Sequence, residues 1–202
     1  NGMVELQSQR ISSFQTINIV INSSLDLRVT LNVILDQATR QLGVDAATVL
    51  LFNTKTQYLE FSAGRGFRTN AFQYTRLRIN EGNAGRAAME RKIISIPDLN
   101  ENKGDFKRSP QLSNEHFVAY FGVPLIAKGQ VEGVLELFHR GTVNPNPEWM
   151  EFLDGLARQA AIAIDNASLY NELQHANFQL SMAYEATIEG WSKALDLRDH
   201  ET

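Results

Sequence analysis

Apolar residues at Ile11, Phe14, Ile17 and Ile21 recur at spacings of 3, 3 and 4, one face of a helix, and predict a first helix over residues 3–22. SSLDL interrupts that period, with Ser23, Ser24 or Asp26 available as an N-cap. Leu27, Leu31, Ile34, Leu35, Ala38 and Leu42 then predict a second helix, which Gly43 closes as a glycine beyond the last turn does. From there the period shortens. ATVLLFN at 47–53 and YLEFSAG at 58–64 are β-rich runs separated by NTKTQ, the pattern of a hairpin. RLRI at 76–79 alternates, the turn NEGNAG leads into a short helix RAAMERK, and IISIP at 93–97 is a strand stopped by its proline. HFVAYFGVPLIA and VEGVLELFHR are strands on either side of the KGQ turn. The middle of the chain thus reads as about six strands with interspersed helices, an α+β arrangement around an antiparallel sheet. The stretch DLNENKGDFKRSPQLSNEH at 98–116 is a long loop, or a short helix with flanking loops. Loops of that length in compact domains are usually functional or mobile.

The helical period returns near Pro147 and persists to about Gly190. Roughly 43 residues at 1.5 Å each make about 64 Å, longer than a helix buried within one domain. Its first part, WMEFLDGLARQAAIAI, is apolar on more than one side and is expected to cover the sheet. Farther on, Ile162, Asn166, Leu169, Leu173, Ala176, Leu180 and Ala183 alternate spacings of 4 and 3, a heptad seam. A stripe of this kind can cover its own domain, but this one outruns any core it would cover. The residues therefore predict a homodimer paired along the seam, with Asn166 fixing register at some cost in stability.

Composition narrows the classes. The 202 residues accommodate one ordinary domain with extensions, or at most two small ones. Hydrophobic content of 43% with 21% charged residues supports a sizeable core. A net charge of −4 without a basic stripe argues against a nucleic-acid partner. The absence of cysteine excludes disulfides, thiolate metal sites, a Cys nucleophile and a thioether-linked chromophore, and fits a reducing compartment. NGMVELQSQR lacks the order of a signal peptide, and the longest apolar runs, such as AATVLLF, fall well short of the ~20 residues that span a bilayer. The segment is expected to be cytoplasmic and without a membrane partner. His116, His139, His175 and His200 show no metal-ligand spacing, and no GxSxG, P-loop or HExxH pattern occurs. Gly82 and Gly85 in EGNAGRAA read as a tight turn at a helix start, or as a weak cradle for an anionic group. With no activated nucleophile and no cofactor motif, the chain is not expected to be an enzyme by itself.

Three blocks in order carry a resemblance. EGNAGRAAMERKIISIPDL, then FGVPLIAKGQVEGVLELF, then FLDGLARQAAIAIDNASLYNEL resemble the GAF domain over residues 25–172. The resemblance implies a GAF-like central six-stranded antiparallel sheet, helices packed on one face, and a ligand cavity on the other beneath the long loop. The candidate lining is Phe52, Phe61, Arg65, Ile96, Asp98, Phe106, Phe117, Phe121 and Glu136, with Arg65 and Asp98 as polar anchors among aromatics. Phe52, Phe61, Phe117 and Phe121 also read as plain core, and Arg65 as a solvated charge at the turn GRGF. Some GAF domains bind cyclic nucleotides through an Asn-Lys…Phe…Asp-Glu signature, but His139-Arg140 stands where it would begin. Covalent bilin attachment and the cysteine-dependent methionine sulfoxide reductase activity of one GAF-like group are both closed by the lack of cysteine. No cofactor is identified, and the expected ligand is an unidentified small-molecule effector.

The tail TIEGWSKALDLRDHET resembles the opening segment of an HD-GYP domain, the metal-dependent phosphodiesterase class that hydrolyses cyclic di-GMP. Glu201 stands where that family has its first metal-ligand carboxylate, and no complete metal site is expected within these residues. The resulting organisation is an N-terminal helix at 1–24, a GAF domain at 25–172, a helical linker at 173–190 and the start of an HD-GYP domain at 191–202. The function implied is a sensory module that relays effector binding through a dimeric C-terminal signalling helix to a phosphodiesterase. The alternative is a ligand-free dimerisation scaffold for that output domain.

Overall fold

A computed structural model describes residues 27–99 and 114–199, with side chains as far as Trp191. The helix expected over 3–22, the choice among Ser23, Ser24 and Asp26, residues 100–113 including Phe106, and Glu201 lie outside the described residues.

Helix α1 spans Leu27–Gln41 and buries Leu31, Ile34, Leu35 and Ala38 along one face. Leu42 N–H still donates to Ala38 C=O, and Gly43 then turns with φ of 64°, a conformation costly for any residue with a Cβ. Strands β1 (Ala46–Asn53) and β2 (Tyr58–Arg65) form the expected hairpin. A 3₁₀ turn (Ala71–Tyr74), β3 (Arg76–Arg78), helix α2 (Gly82–Glu90) and β4 (Ile94–Ile96) follow. β5 (Ala119–Ala127) and β6 (Gln130–His139) complete a six-stranded sheet in the order β3-β2-β1-β6-β5-β4, antiparallel throughout. Both edge strands are only 3 residues long, which leaves little unpaired backbone for another chain to add to.

The sheet is buried on both faces. On the first, α1 and the start of α3 (Pro147–Asp199) cover Ala47, Val49, Phe121, Val123, Leu125, Leu135 and Leu137 with Phe152, Leu153, Leu156, Ala160 and Ala161. Pro147 begins α3 where a missing N–H costs nothing, and the Asn146 side-chain oxygen caps the Trp149 N–H at 2.8 Å. The Trp149 indole N–H donates to Leu42 C=O at 2.9 Å, tying the start of α3 to the end of α1. On the second face, α2 and the 3₁₀ turn cover Ala46, Leu50, Leu59, Tyr120, Val134 and Phe138. The expectation of helices on one face only is thus corrected: α1 and the start of α3 cover one face, and the short helix α2 lies on the other.

Two boundaries also differ from the sequence reading. NEGNAG is not a turn ahead of the helix, because α2 already starts at Gly82 and ends at Glu90, with Arg91 in the left-handed region. Gly85 serves packing there: a Cβ would stand 2.5 Å from Arg78 C=O. The last helix passes Gly190 and continues to Asp199, since a lone glycine costs only about 1 kcal/mol against alanine and does not stop a helix. Chain contacts divide the molecule within α3, residues to Asp165 forming one compact unit and those from Asn166 a second. In that second unit the side chains of residues 168–191 are exposed.

Candidate functional site

β1, β5 and β6 read as nearly continuous apolar runs, as strands buried on both faces do. Two polar residues interrupt them on the α2-covered face. Thr48 and Glu136 are cross-strand partners, and both are fully buried. Their row continues to a glycine on each side, Gly64 opposite Thr48 and Gly122 opposite Glu136. The two glycines make room for rings. A Cβ on Gly122 would stand 2.5 Å from the Tyr120 hydroxyl, and one on Gly64 would stand 2.9 Å from the Phe61 ring. Tyr120 therefore lies across Gly122, and its hydroxyl donates to Glu136 Oε1 at 2.9 Å. Thr48 Oγ1 donates to Ala63 C=O at 2.8 Å. Burying a polar group costs free energy unless a partner compensates it, so such a row in the middle of a sheet is a built feature.

Above the sheet, α2 presents Asn83, Ala84, Ala87 and Ala88 as its buried stripe. Alongside lies an aromatic cluster in which Phe138 meets Phe117 at 4.9 Å, Tyr120 at 5.2 Å and Phe72 at 5.3 Å between ring centroids. Phe67 stacks on Phe72 at 4.1 Å.

A charged clamp closes the end of this cluster. Glu115 is fully buried and accepts hydrogen bonds from the backbone N–H groups of Arg68 and Thr69, the Thr69 hydroxyl and the Arg140 guanidinium. Burial pushes its carboxyl up, but the Arg68 and Thr69 amides, the Thr69 hydroxyl and Arg140 outweigh that and hold it below the usual carboxylate range. Arg140 also donates to Glu115 C=O at 2.9 Å and to Gly66 C=O at 3.3 Å, and its guanidinium sits 4.9 Å from the Phe117 ring centre. Asp45 receives the Arg140 backbone N–H at 2.6 Å and stands 2.7 Å from His139 Nδ1. Leu99 N–H donates to Val118 C=O at 2.7 Å, so the two ends of the 98–116 segment are joined at the sheet.

The expected lining residues divide between the faces. Phe52, Phe61, Ile96, Phe117 and Glu136 lie on the α2-covered side or at its margin, with Glu136 at the centre of the polar row. Phe121 lies on the opposite face, 4.9 Å from Trp149, because Tyr120 takes the inward position one residue earlier. Arg65 pairs with Asp36 of α1 at 2.8 Å and is half exposed, away from the polar row. Asp98 is half-buried at the start of the long segment, and Phe106 lies outside the described residues. Sequence reasoning missed Thr48, Asn83, Glu115, Tyr120 and Arg140. Thr48 carries a signal, a polar residue inside an apolar strand, whereas Tyr120 and Arg140 acquire their roles only from the fold.

The seam residues Ile162, Asn166, Leu169, Leu173, Ala176, Leu180 and Ala183 are all exposed, Leu173 and Leu180 at 59% and 70%. Among the described residues no group of His, Asp and Glu converges as metal ligands, and no helix is long and apolar enough to cross a membrane.

The chain belongs to the GAF family: the GAF domain model matches residues 26–164. GAF domains are sensory modules of signalling proteins such as histidine kinases and chemotaxis proteins. Solved structures share the fold. The GAF domain of a phosphoenolpyruvate-protein phosphotransferase from Coxiella burnetii is 21% identical, with a TM-score of 0.72 over 81% of this chain and 96% of that one. That of a two-component sensor histidine kinase from Bacillus halodurans is 18% identical, with a TM-score of 0.65 over 73% and 99%. A free methionine-R-sulfoxide reductase from Neisseria meningitidis, solved with its substrate, is 16% identical, with a TM-score of 0.66 over 80% and 91%. No curated protein matches the chain.

Proposed function

We propose that this chain is a non-catalytic sensory module that binds a small-molecule effector on the α2-covered face and relays the event through α3 as a homodimer. The observation that carries the reading is the buried row Thr48–Glu136 on the sheet face that α2 covers, with glycines at both ends and aromatics alongside. A domain needing only a core would fill those positions with apolar side chains at lower cost. The exposed 4-3 stripe from Ile162 to Ala183 supports pairing of two chains along α3. A paired helix passes on a signal when two packings lie close in energy and the effector binds one of them better. The similarity of residues 187–202 to the opening of an HD-GYP domain supports a cyclic di-GMP phosphodiesterase as the output. No covalent chromophore enters the reading, and the cytoplasm is its setting.

Native mass spectrometry of the purified protein beside a denatured sample tests it. The expected spectrum is a dimer carrying an extra small mass that disappears on denaturation. A dimer without added mass favours the ligand-free scaffold, and a monomer sinks the relay.

A further inference from the structure

We propose that Asn83 selects the effector, and that the effector presents an adjacent hydrogen-bond donor and acceptor, as a primary carboxamide or the amide edge of a nucleobase does. The inference rests on the α2-covered face being the effector site. Asn83 is 2% exposed, and neither its Nδ2 nor its Oδ1 bonds to any protein group. Buried polar side chains of the sheet face that α2 covers behave differently: the Thr48 hydroxyl has its carbonyl, and the Tyr120 hydroxyl has its carboxylate. Asn83 is the second residue of α2, and the rest of the buried stripe is Ala84, Gly85, Ala87 and Ala88. The same helix contacts β5 and β6, the strands of Tyr120 and Glu136. A fully apolar stripe would serve packing better. A buried amide in a stripe otherwise of alanine and glycine holds two donors and an acceptor oxygen that no protein group satisfies, and a polar edge of a ligand can satisfy them.

The backbone that carries the amide is held in place. Glu81 N–H donates to Arg78 C=O at 2.9 Å, Gly85 N–H to Glu81 C=O at 3.2 Å and Asn80 N–H to Gly85 C=O at 3.1 Å. The Glu81 carboxylate accepts the Arg78 N–H at 3.0 Å. Close approach at Gly85, where a Cβ would stand 2.5 Å from Arg78 C=O, locks the first turn of α2 onto the end of β3. A buried side chain on a backbone fixed in this way has few positions open to it and discriminates by geometry. A carboxamide facing an amide edge makes one bond through each of its atoms. A carboxylate offers acceptors only and leaves Oδ1 unmatched, and an ammonium offers donors only and leaves Nδ2 unmatched. Sites built to pair a polar edge reject analogues that lack it far more strongly than apolar pockets reject a changed methylene.

The test uses the full chain, freed of any co-purified ligand and observed by two-dimensional amide NMR. The probes are nicotinamide and uracil on one side and nicotinate on the other. Nicotinamide and uracil are expected to shift amides of β1, β6 and α2, with nicotinate at least tenfold weaker. The Asn83→Ala variant, which continues the alanine stripe, is expected to fold with an unchanged or higher melting temperature and to lose at least tenfold in affinity for both amide probes. Asn83→Leu gives the same readout with a fuller side chain. Nicotinamide and uracil differ in whether the amide is a substituent or part of a ring, so the stronger of the two identifies the source of the edge. Equal binding of nicotinate and nicotinamide, or unchanged affinity in Asn83→Ala, overturns the role of Asn83 while leaving an effector on this face. If no probe shifts these amides, the proposed ligand class fails, while the effector reading is decided separately by the native mass spectrum.

Discussion

Replacing Glu115 by Gln removes one charge and almost no volume, and the consequences follow from the donors around it. Both carboxylate oxygens face donors: Arg68 N–H at 2.9 and 3.1 Å, Thr69 N–H at 2.8 Å, the Thr69 hydroxyl at 3.0 Å and Arg140 Nη2 at 3.0 Å. A glutamine offers one oxygen to these, and its own NH₂ must point either at Arg140 and the Arg68 amide or at the Arg68 and Thr69 amides. At least one charge-assisted hydrogen bond is lost, and a buried donor is left facing a donor. Bonds of that kind contribute about 1.5–3 kcal/mol each, and removing one partner of a buried charged pair costs about 3–5 kcal/mol. Glu115→Gln is therefore expected to lose about 3 kcal/mol, or roughly 6–12 °C of melting temperature at this chain length. The effect depends on pH with a definite sign. The folded-state pKa of Glu115 is lowered, so its contribution is complete above the unfolded value of about 4.3 and is lost as pH falls through the folded value. Chemical denaturation of both proteins between pH 7 and pH 3 checks this. The gap is expected to hold near neutrality and narrow below about pH 4. A gap that stays constant down to pH 3, or a variant as stable as the wild type at pH 7, refutes the clamp.

Other perturbations have equally direct expectations. Gly122→Ala drives a methyl into the Tyr120 hydroxyl and breaks its bond to Glu136, with a loss of about 1–3 kcal/mol by denaturant titration. Tyr120→Phe removes the same donor without a clash and is expected to cost no more than Gly122→Ala. Trp149→Phe deletes the indole bond to Leu42 C=O while keeping most of the ring, and a drop of about 1–2 kcal/mol is expected in the same assay. Leu173→Asp places a charge on the exposed seam and is expected to yield monomers by light scattering while leaving the melting temperature of the dilute chain unchanged. A Leu173→Asp dimer of wild-type affinity would remove α3 as the pairing element.

Much of the fold was legible because periods of 3.6 and 2 are local. Helix α1, the glycine that closes it, the β1–β2 and β5–β6 hairpins and the onset of α3 at Pro147 all stand where hydrophobic spacing and turn residues put them. Facing was not legible. When a strand is buried on both sides, alternation no longer separates core from cavity, and Tyr120 and Phe121 are equally apolar neighbours with opposite surroundings. An irregularity at Val49/Leu50 compounds this by leaving Ser62 without a partner and shifting the later residues of β1 against β2. Phe121 was accordingly placed with the lining, although it packs against Trp149. Glu136 carries a signal of its own, a carboxylate inside the apolar run VLELF. Asn83 was hidden by its glycines, which suggest a turn in the sequence and make close helix packing in the fold. The clamp joins residues near 45, 67, 115 and 140, and nothing in their local sequence announces it.

Hydrogen–deuterium exchange of the protein as purified, compared with the same protein unfolded, stripped and refolded, tests the central claim most directly. If a small molecule held beneath α2 biases the paired helix, the stripped protein exchanges faster in α2 and in β1 around Thr48. Protection then also changes along α3 between Asn166 and Glu189. Identical exchange in both samples contradicts the sensory account.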